Sequence, residues 1–97
     1  MNLNGIEFKT QYEQGTDGVL LDVRTPDEFN SGHIPNSINL DIMSFDFRDE
    51  ITKLDKNKSY FVYCRSGNRS GQACMMMMNL GLKAYNLEGG IGAWPNN

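Results

Sequence analysis

The chain is poor in the residues that would support several kinds of chemistry. It has one histidine, His33, and only two cysteines, Cys64 and Cys74, in 97 residues. Two cysteines ten positions apart make neither a disulfide framework nor a zinc pattern, and no other cluster of metal-ligating residues appears. No metal and no cofactor is therefore expected. Prolines number three, and 39% of residues are hydrophobic, which excludes a disordered chain. Positive charge is not in excess: the net charge is −3, which argues against a nucleic-acid partner, since phosphate binding needs a basic face. No apolar run approaches the ~20 residues that span a bilayer. The N-terminal stretch MNLNGIEFKTQYEQ has neither a basic region nor an apolar core of the secretory kind, so a cytoplasmic protein with no membrane association is expected. At this length a single domain over residues 1–97 is expected, with enough chain for one core.

What is present alternates between strand and helix. GVLLDV (18–23) reads as a buried parallel strand, and TPDEFNSG (25–32) as a short helix with Thr25 at its N-cap and Pro26 in its first turn. HIPNSINLD (33–41) reads as a loop and a short strand around residues 37–40. Phe47, Ile51 and Leu54 place a helix in 43–56, and SYFVYC (59–64) is a second buried strand. The longest helix is expected over 68–81, with Ala73, Met76, Met77 and Leu80 as its apolar stripe and Gly81 as its stop. A last strand and turn lie in 83–90, and Trp94 packs back on the body. This order predicts an α/β fold in three layers: a central parallel sheet of about five short strands with helices on both faces. Strand-to-helix loops of such a sheet share its carboxyl edge, where ligands bind. Asp22–Thr25 and Cys64–Ser70 should therefore be neighbours.

The loop CRSGNRS (64–70) is where chemistry is expected. A free thiol with a pKa near 8.5 is only about 3% thiolate at pH 7. Cys64 stands just before a helix N-terminus, where unpaired N–H groups favour negative charge. Gly67 lets the loop turn so that successive N–H groups point inward, with Asn68 opening the helix. Arg65 and Arg69 are expected to add positive charge and to hold an anionic donor; Ser66 and Ser70 can donate hydroxyl hydrogen bonds. Each effect lowers the thiol pKa. Asp22 and Arg24 read as supporting residues, an ion pair that can include Glu28 and that anchors the two loops. His33 reads as a loop-packing histidine, since a thiolate formed by its surroundings needs no base. Cys74, too far down the helix for an easy disulfide, reads as buried.

Three stretches together, LLDVRTPDEFNSGHIPNSINL (20–40), CRSGNRS (64–70) and LEGGIGAW (87–94), resemble the signatures of the rhodanese-like sulfurtransferases, and the resemblance covers nearly the whole chain. It implies the rhodanese-like form of the α/β fold. It also implies that Cys64 accepts a sulfane sulfur from thiosulfate or a persulfide and passes it to a thiol or cyanide, or to a protein acceptor, by a ping-pong route. Three other readings of the loop differ from this one. A dual-specificity phosphatase of similar fold has five residues between cysteine and arginine; here four separate Cys64 from Arg69, and position 70 is Ser70. A non-catalytic binding module would not need the cysteine. A redox or arsenate-reducing enzyme would want a second accessible thiol.

Overall fold

The computed structural model describes residues 1–96; Asn97, the last residue of the expected domain, lies outside the described residues. Five parallel strands form one sheet in the order β1-β5-β4-β2-β3, with β1 at Asn2–Leu3, β2 at Gly18–Asp22, β3 at Ile38–Asn39, β4 at Ser59–Tyr63 and β5 at Lys83–Leu87. The two strands with no polar face sit next to each other: β2 pairs with β4 from Gly18–Ser59 to Asp22–Tyr63. Both are covered on both sides, as the continuous apolar runs require. The expected three-layer α/β fold is the observed one.

Alternation along β4 divides the core. Tyr60, Val62 and Cys64 face one layer with Phe47 and Ile51 of α3 (Phe47–Thr52) and Ala73, Cys74 and Met77 of α4 (Asn68–Asn79). Phe61 and Tyr63 face the other, with Leu3, Phe8, Leu20, Ile34 and Leu87. In α4, Met77 is fully buried and Met76 and Leu80 pack on the core, whereas Met75 and Met78 are exposed, so the run of four methionines is divided by helical periodicity. Gly81 ends that helix at φ +86°, a left-handed conformation that glycine adopts without strain. The expected helix in 43–56 is shorter: residues 44–46 form a hydrogen-bonded turn, and Ser44 Oγ bonds Asp46 instead of prolonging the helix. The helix expected over 25–32 is α2 at Pro26–Asn30, opened by Thr25 and Glu28 in a reciprocal capping box.

Two elements were not anticipated. β1 adds an edge strand to β5, and α1 covers Gly5–Gln14. Asn4 accepts from the Glu7 N–H at 2.9 Å, while Glu7 accepts from the Asn4 N–H at 3.0 Å, so the helix start was written in Asn4 and Glu7. Its apolar face is thin, and Phe8 is its single buried residue. That ring stands edge-on to Phe61 (5.5 Å) and to Trp94 (6.1 Å), and so ties α1, the sheet and the C-terminal turn together. Phe8→Ala should cost about 3–5 kcal/mol of stability. Urea unfolding checks this; a loss below about 1 kcal/mol would mean that α1 does not depend on this contact.

Candidate active site

The site lies at the carboxyl edge of the sheet, as the topology requires. Val23 N–H donates to Tyr63 O at 3.0 Å, which holds the ends of β2 and β4 together and makes their two following loops neighbours. Cys64 follows β4 directly and is fully buried. The chain then turns through Arg65 and Ser66, both exposed, to Gly67 at φ +100°. A side chain at Gly67 would be strained there and would crowd the Gly89 N–H at 3.2 Å. Gly90 is tighter still: a Cβ would lie 2.0 Å from the Arg65 carbonyl oxygen. The pair Gly89–Gly90 therefore lets the C-terminal segment press directly beneath the loop, and the Ile91 N–H donates to Cys64 O at 2.9 Å.

Helix α4 has no side-chain oxygen capping its N-terminus. The sulfur of Cys64 takes that place. Gly67 N–H donates to Sγ at 3.1 Å, Ser70 N–H at 3.3 Å and the Ser70 hydroxyl at 3.3 Å. The two N–H groups are orphan donors of a helix start, already aimed, with the hydroxyl, at the position where negative charge develops. Burial pushes the thiol pKa up, but the hydrogen bonds from the Ser70 hydroxyl and from the N–H groups of Ser70, Gly67 and Ser66 outweigh it, so Cys64 lies below the ordinary thiol value.

Arg69 does not stand as an open cation beside the sulfur: its Nη1 and Nη2 donate to Oε1 and Oε2 of Glu28 at 2.8 and 2.9 Å. A bidentate carboxylate neutralises the guanidinium, which is why neutral dipoles, not arginine charge, dominate the lowering of the thiol. Arg65 is on the exposed rim and Asn68 is exposed at the helix start. Glu28 pairs with Arg69, not with Asp22 and Arg24. Asp22 and Arg24 pair with each other: Arg24 Nη2 reaches Asp22 Oδ2 at 2.7 Å and Gly32 O at 2.7 Å, and Nε contacts both carboxylate oxygens at 3.0 Å. Both are buried, and Asn39 bonds their carbonyl oxygens, so the pair shapes the loop from β2 to β3. His33 stacks on Phe29 at 3.8 Å and its Nδ1 lies 2.9 Å from Phe29 O, a packing contact within its own loop. Cys74 is buried, and burial pushes its thiol up to about 12. Among the described residues no group of three or more His, Cys, Asp or Glu side chains could hold a metal ion.

Sequence reasoning missed Asn86. It is a buried polar side chain on β5 that accepts from the Ser70 hydroxyl and donates to Gly67 O at 3.2 Å and to Asn2 Oδ1 at 2.9 Å. The available signal was an asparagine inside an apolar strand, where the residue is disfavoured unless something holds it.

The sequence model of the rhodanese-like domain family matches residues 6–97. A sulfurtransferase of Allochromatium vinosum is 40% identical over 82 residues, covering 84% of this chain and 75% of that protein. The thiosulfate sulfurtransferase GlpE of Pseudomonas syringae is 40% identical over 83 residues, covering 84% and 74%. Among solved structures, a rhodanese-like domain protein from Staphylococcus aureus superposes with a TM-score of 0.84 at 28% identity, covering 99% of this chain and 92% of that one.

The Glu28–Arg69 pair gives a pH signature. Held by Arg69 and by the Thr25 N–H, Glu28 falls from 4.5 to about 2. A carboxylate depressed by folding contributes stability above its unfolded pKa and loses it as pH falls through its folded one. Glu28→Gln should therefore be less stable than the parent at neutral pH, and that deficit should shrink between pH 4.5 and about 2. The pair is partly exposed, so the neutral-pH deficit should be modest, about 1 kcal/mol or less. Urea unfolding across that range checks it; a deficit independent of pH would remove the pair from the stability account.

Proposed function

The chain belongs to the rhodanese-like family, and from that premise we propose that it is a sulfurtransferase that carries a sulfane sulfur on Cys64. The observation that carries the reading is the set of donors converging on one sulfur atom. The thiolate of Cys64 attacks the outer sulfur of thiosulfate or of a persulfide. A bond forms from Sγ to that sulfur, the donor's S–S bond breaks, and sulfite or the donor thiolate leaves with the electron pair. The outer sulfur of the resulting persulfide is then taken by a thiol or cyanide, and the electron pair returns to Sγ. Each half-reaction ends with negative charge in or next to the same cradle, so stabilisation is retained throughout.

Three features favour this over phosphoryl transfer. The loop has four residues between Cys64 and Arg69. Its sixth position after the cysteine is Ser70, whose N–H and hydroxyl both lie on Sγ. Arg69 is bound by Glu28, so its guanidinium is not open to grip a tetrahedral oxyanion. Arg65, on the rim, is the cation placed to draw in an anionic donor. Because Cys64 is fully buried, residues 65–68 must give slightly to admit the donor's terminal sulfur, which suits a single atom on a narrow stem.

Intact mass measurement of the reduced protein after exposure to thiosulfate tests the proposal. A gain of one sulfur atom is expected, removed by cyanide or a thiol and absent in Cys64→Ser. No gain with either thiosulfate or a persulfide donor would overturn it.

A further inference from the structure

The Ser70 hydroxyl has one proton and two acceptors. It lies 3.3 Å from Cys64 Sγ and 2.5 Å from Asn86 Oδ1. The orientation of the Asn86 amide is not free to change. Its Nδ2 faces the carbonyl oxygen of Gly67, which can only accept, and the Oδ1 of Asn2. Oδ1 must therefore face Ser70. Two arrangements follow. With a neutral thiol, S–H donates to Ser70 Oγ and the Ser70 proton rests on Asn86, so every group is satisfied. With a thiolate, the Ser70 proton turns to sulfur, and Asn86 Oδ1, 6% exposed as a residue, loses its donor.

We propose that Asn86 is a positioning residue that sets the charge state of Cys64 by competing with its sulfur for the Ser70 proton. The competition works against the thiolate at rest and in favour of the persulfide. Once the outer sulfur carries the charge, Sγ is a neutral disulfide-type sulfur and a poor acceptor. The Ser70 proton then returns to Asn86 with no cost to the cradle N–H groups. In the reverse half-reaction, as Sγ regains the electron pair, the same proton turns back. No bond to hydrogen is broken in this exchange; one hydroxyl rotates between two acceptors as charge moves by one sulfur atom. The inference rests on the sulfur-carrier reading only for its role in turnover, since the competition itself exists in the free enzyme.

The test reads the thiol directly. Cys64 alkylation by iodoacetamide, followed by mass across pH, gives its pKa without any sulfur transfer, so failure here and failure to take up sulfur are separate results. Asn86→Val removes the competing acceptor, and the Cys64 pKa should fall by about half a unit to one unit, the worth of one net hydrogen bond. Ser70→Ala should raise it, and adding Asn86→Val to Ser70→Ala should then change it little. Asn86→Asp, close in volume, holds the hydroxyl proton with a full charge and should raise the pKa, by less in the Ser70→Ala background. A residue that only props the loop would give a different pattern. If Asn86→Val raises the pKa or leaves it unchanged, or shifts it equally with and without Ser70, the proposal is overturned. If that variant does not fold, a fall or no change in Asn86→Asp overturns it instead.

Discussion

The structure depends on one sulfur atom standing where a capping oxygen would. Helix α4 begins with no side-chain cap, and its first donors close on Cys64 Sγ. A helix start needs an acceptor, and a buried thiolate needs donors. Each requirement is met by the other, which ties the ionisation of the cysteine to the integrity of the longest helix. The rest of the edge serves this contact. Gly67 supplies the left-handed turn that points its N–H inward, and Gly90 clears the space under the Arg65 carbonyl that lets the C-terminal segment hold the loop from below.

Charge and dipole have separate tasks in this arrangement. Apart from Arg65 on the exposed rim, the full charges near the site are paired: Asp22 with Arg24, Glu28 with Arg69. Each pair joins or shapes a loop, and neither leaves an unbalanced ion beside the sulfur. The sulfur is surrounded instead by neutral N–H and O–H groups. Their influence is short in range and little affected by salt, whereas the effect of an exposed arginine would be screened within about 10 Å at ordinary ionic strength. A cradle of neutral donors also binds an anion without fixing its charge by a strong counter-ion, which suits a group that must receive a negative sulfur and then release it.

Much of this was legible in the sequence, and the parts that were not have a common cause. The buried strands β2 and β4, the α4 stripe and the cysteine at a helix start all rest on local patterns: continuous apolar runs, 3.6-residue spacing and a glycine in the turn. Their position at one edge follows from strand–helix alternation. Helix α1 escaped because one phenylalanine is its whole buried face, and the Asn4–Glu7 cap carries little weight without an apolar stripe behind it. The pairing of Glu28 with Arg69 escaped for a different reason. Glu28 already had an account as a companion of the Asp22–Arg24 pair close by in the chain, whereas the structure gives its carboxylate two other partners: Oε1 accepts from the Thr25 N–H as well as from Arg69. A local pairing accounts for a residue without exhausting its acceptors.

Asn86 shows the same limit from the other side. The stretch LEGGIGAW begins one residue after it and does not include it, and its partners Asn2, Gly67 and Ser70 come from the far N-terminus, the loop after β4 and the start of α4. Only the sheet order β1-β5-β4 brings them together. β1 is two residues long and buries one side chain, Leu3, while its other residue supplies the acceptor that, with the Gly67 carbonyl, fixes which end of the Asn86 amide meets Ser70. A two-residue edge strand is thus part of the electrostatic definition of the sulfur site. Apolar burial decides where the strands go; the orientation of one amide, set by acceptors on either side of it, decides what the hydroxyl next to the sulfur can do.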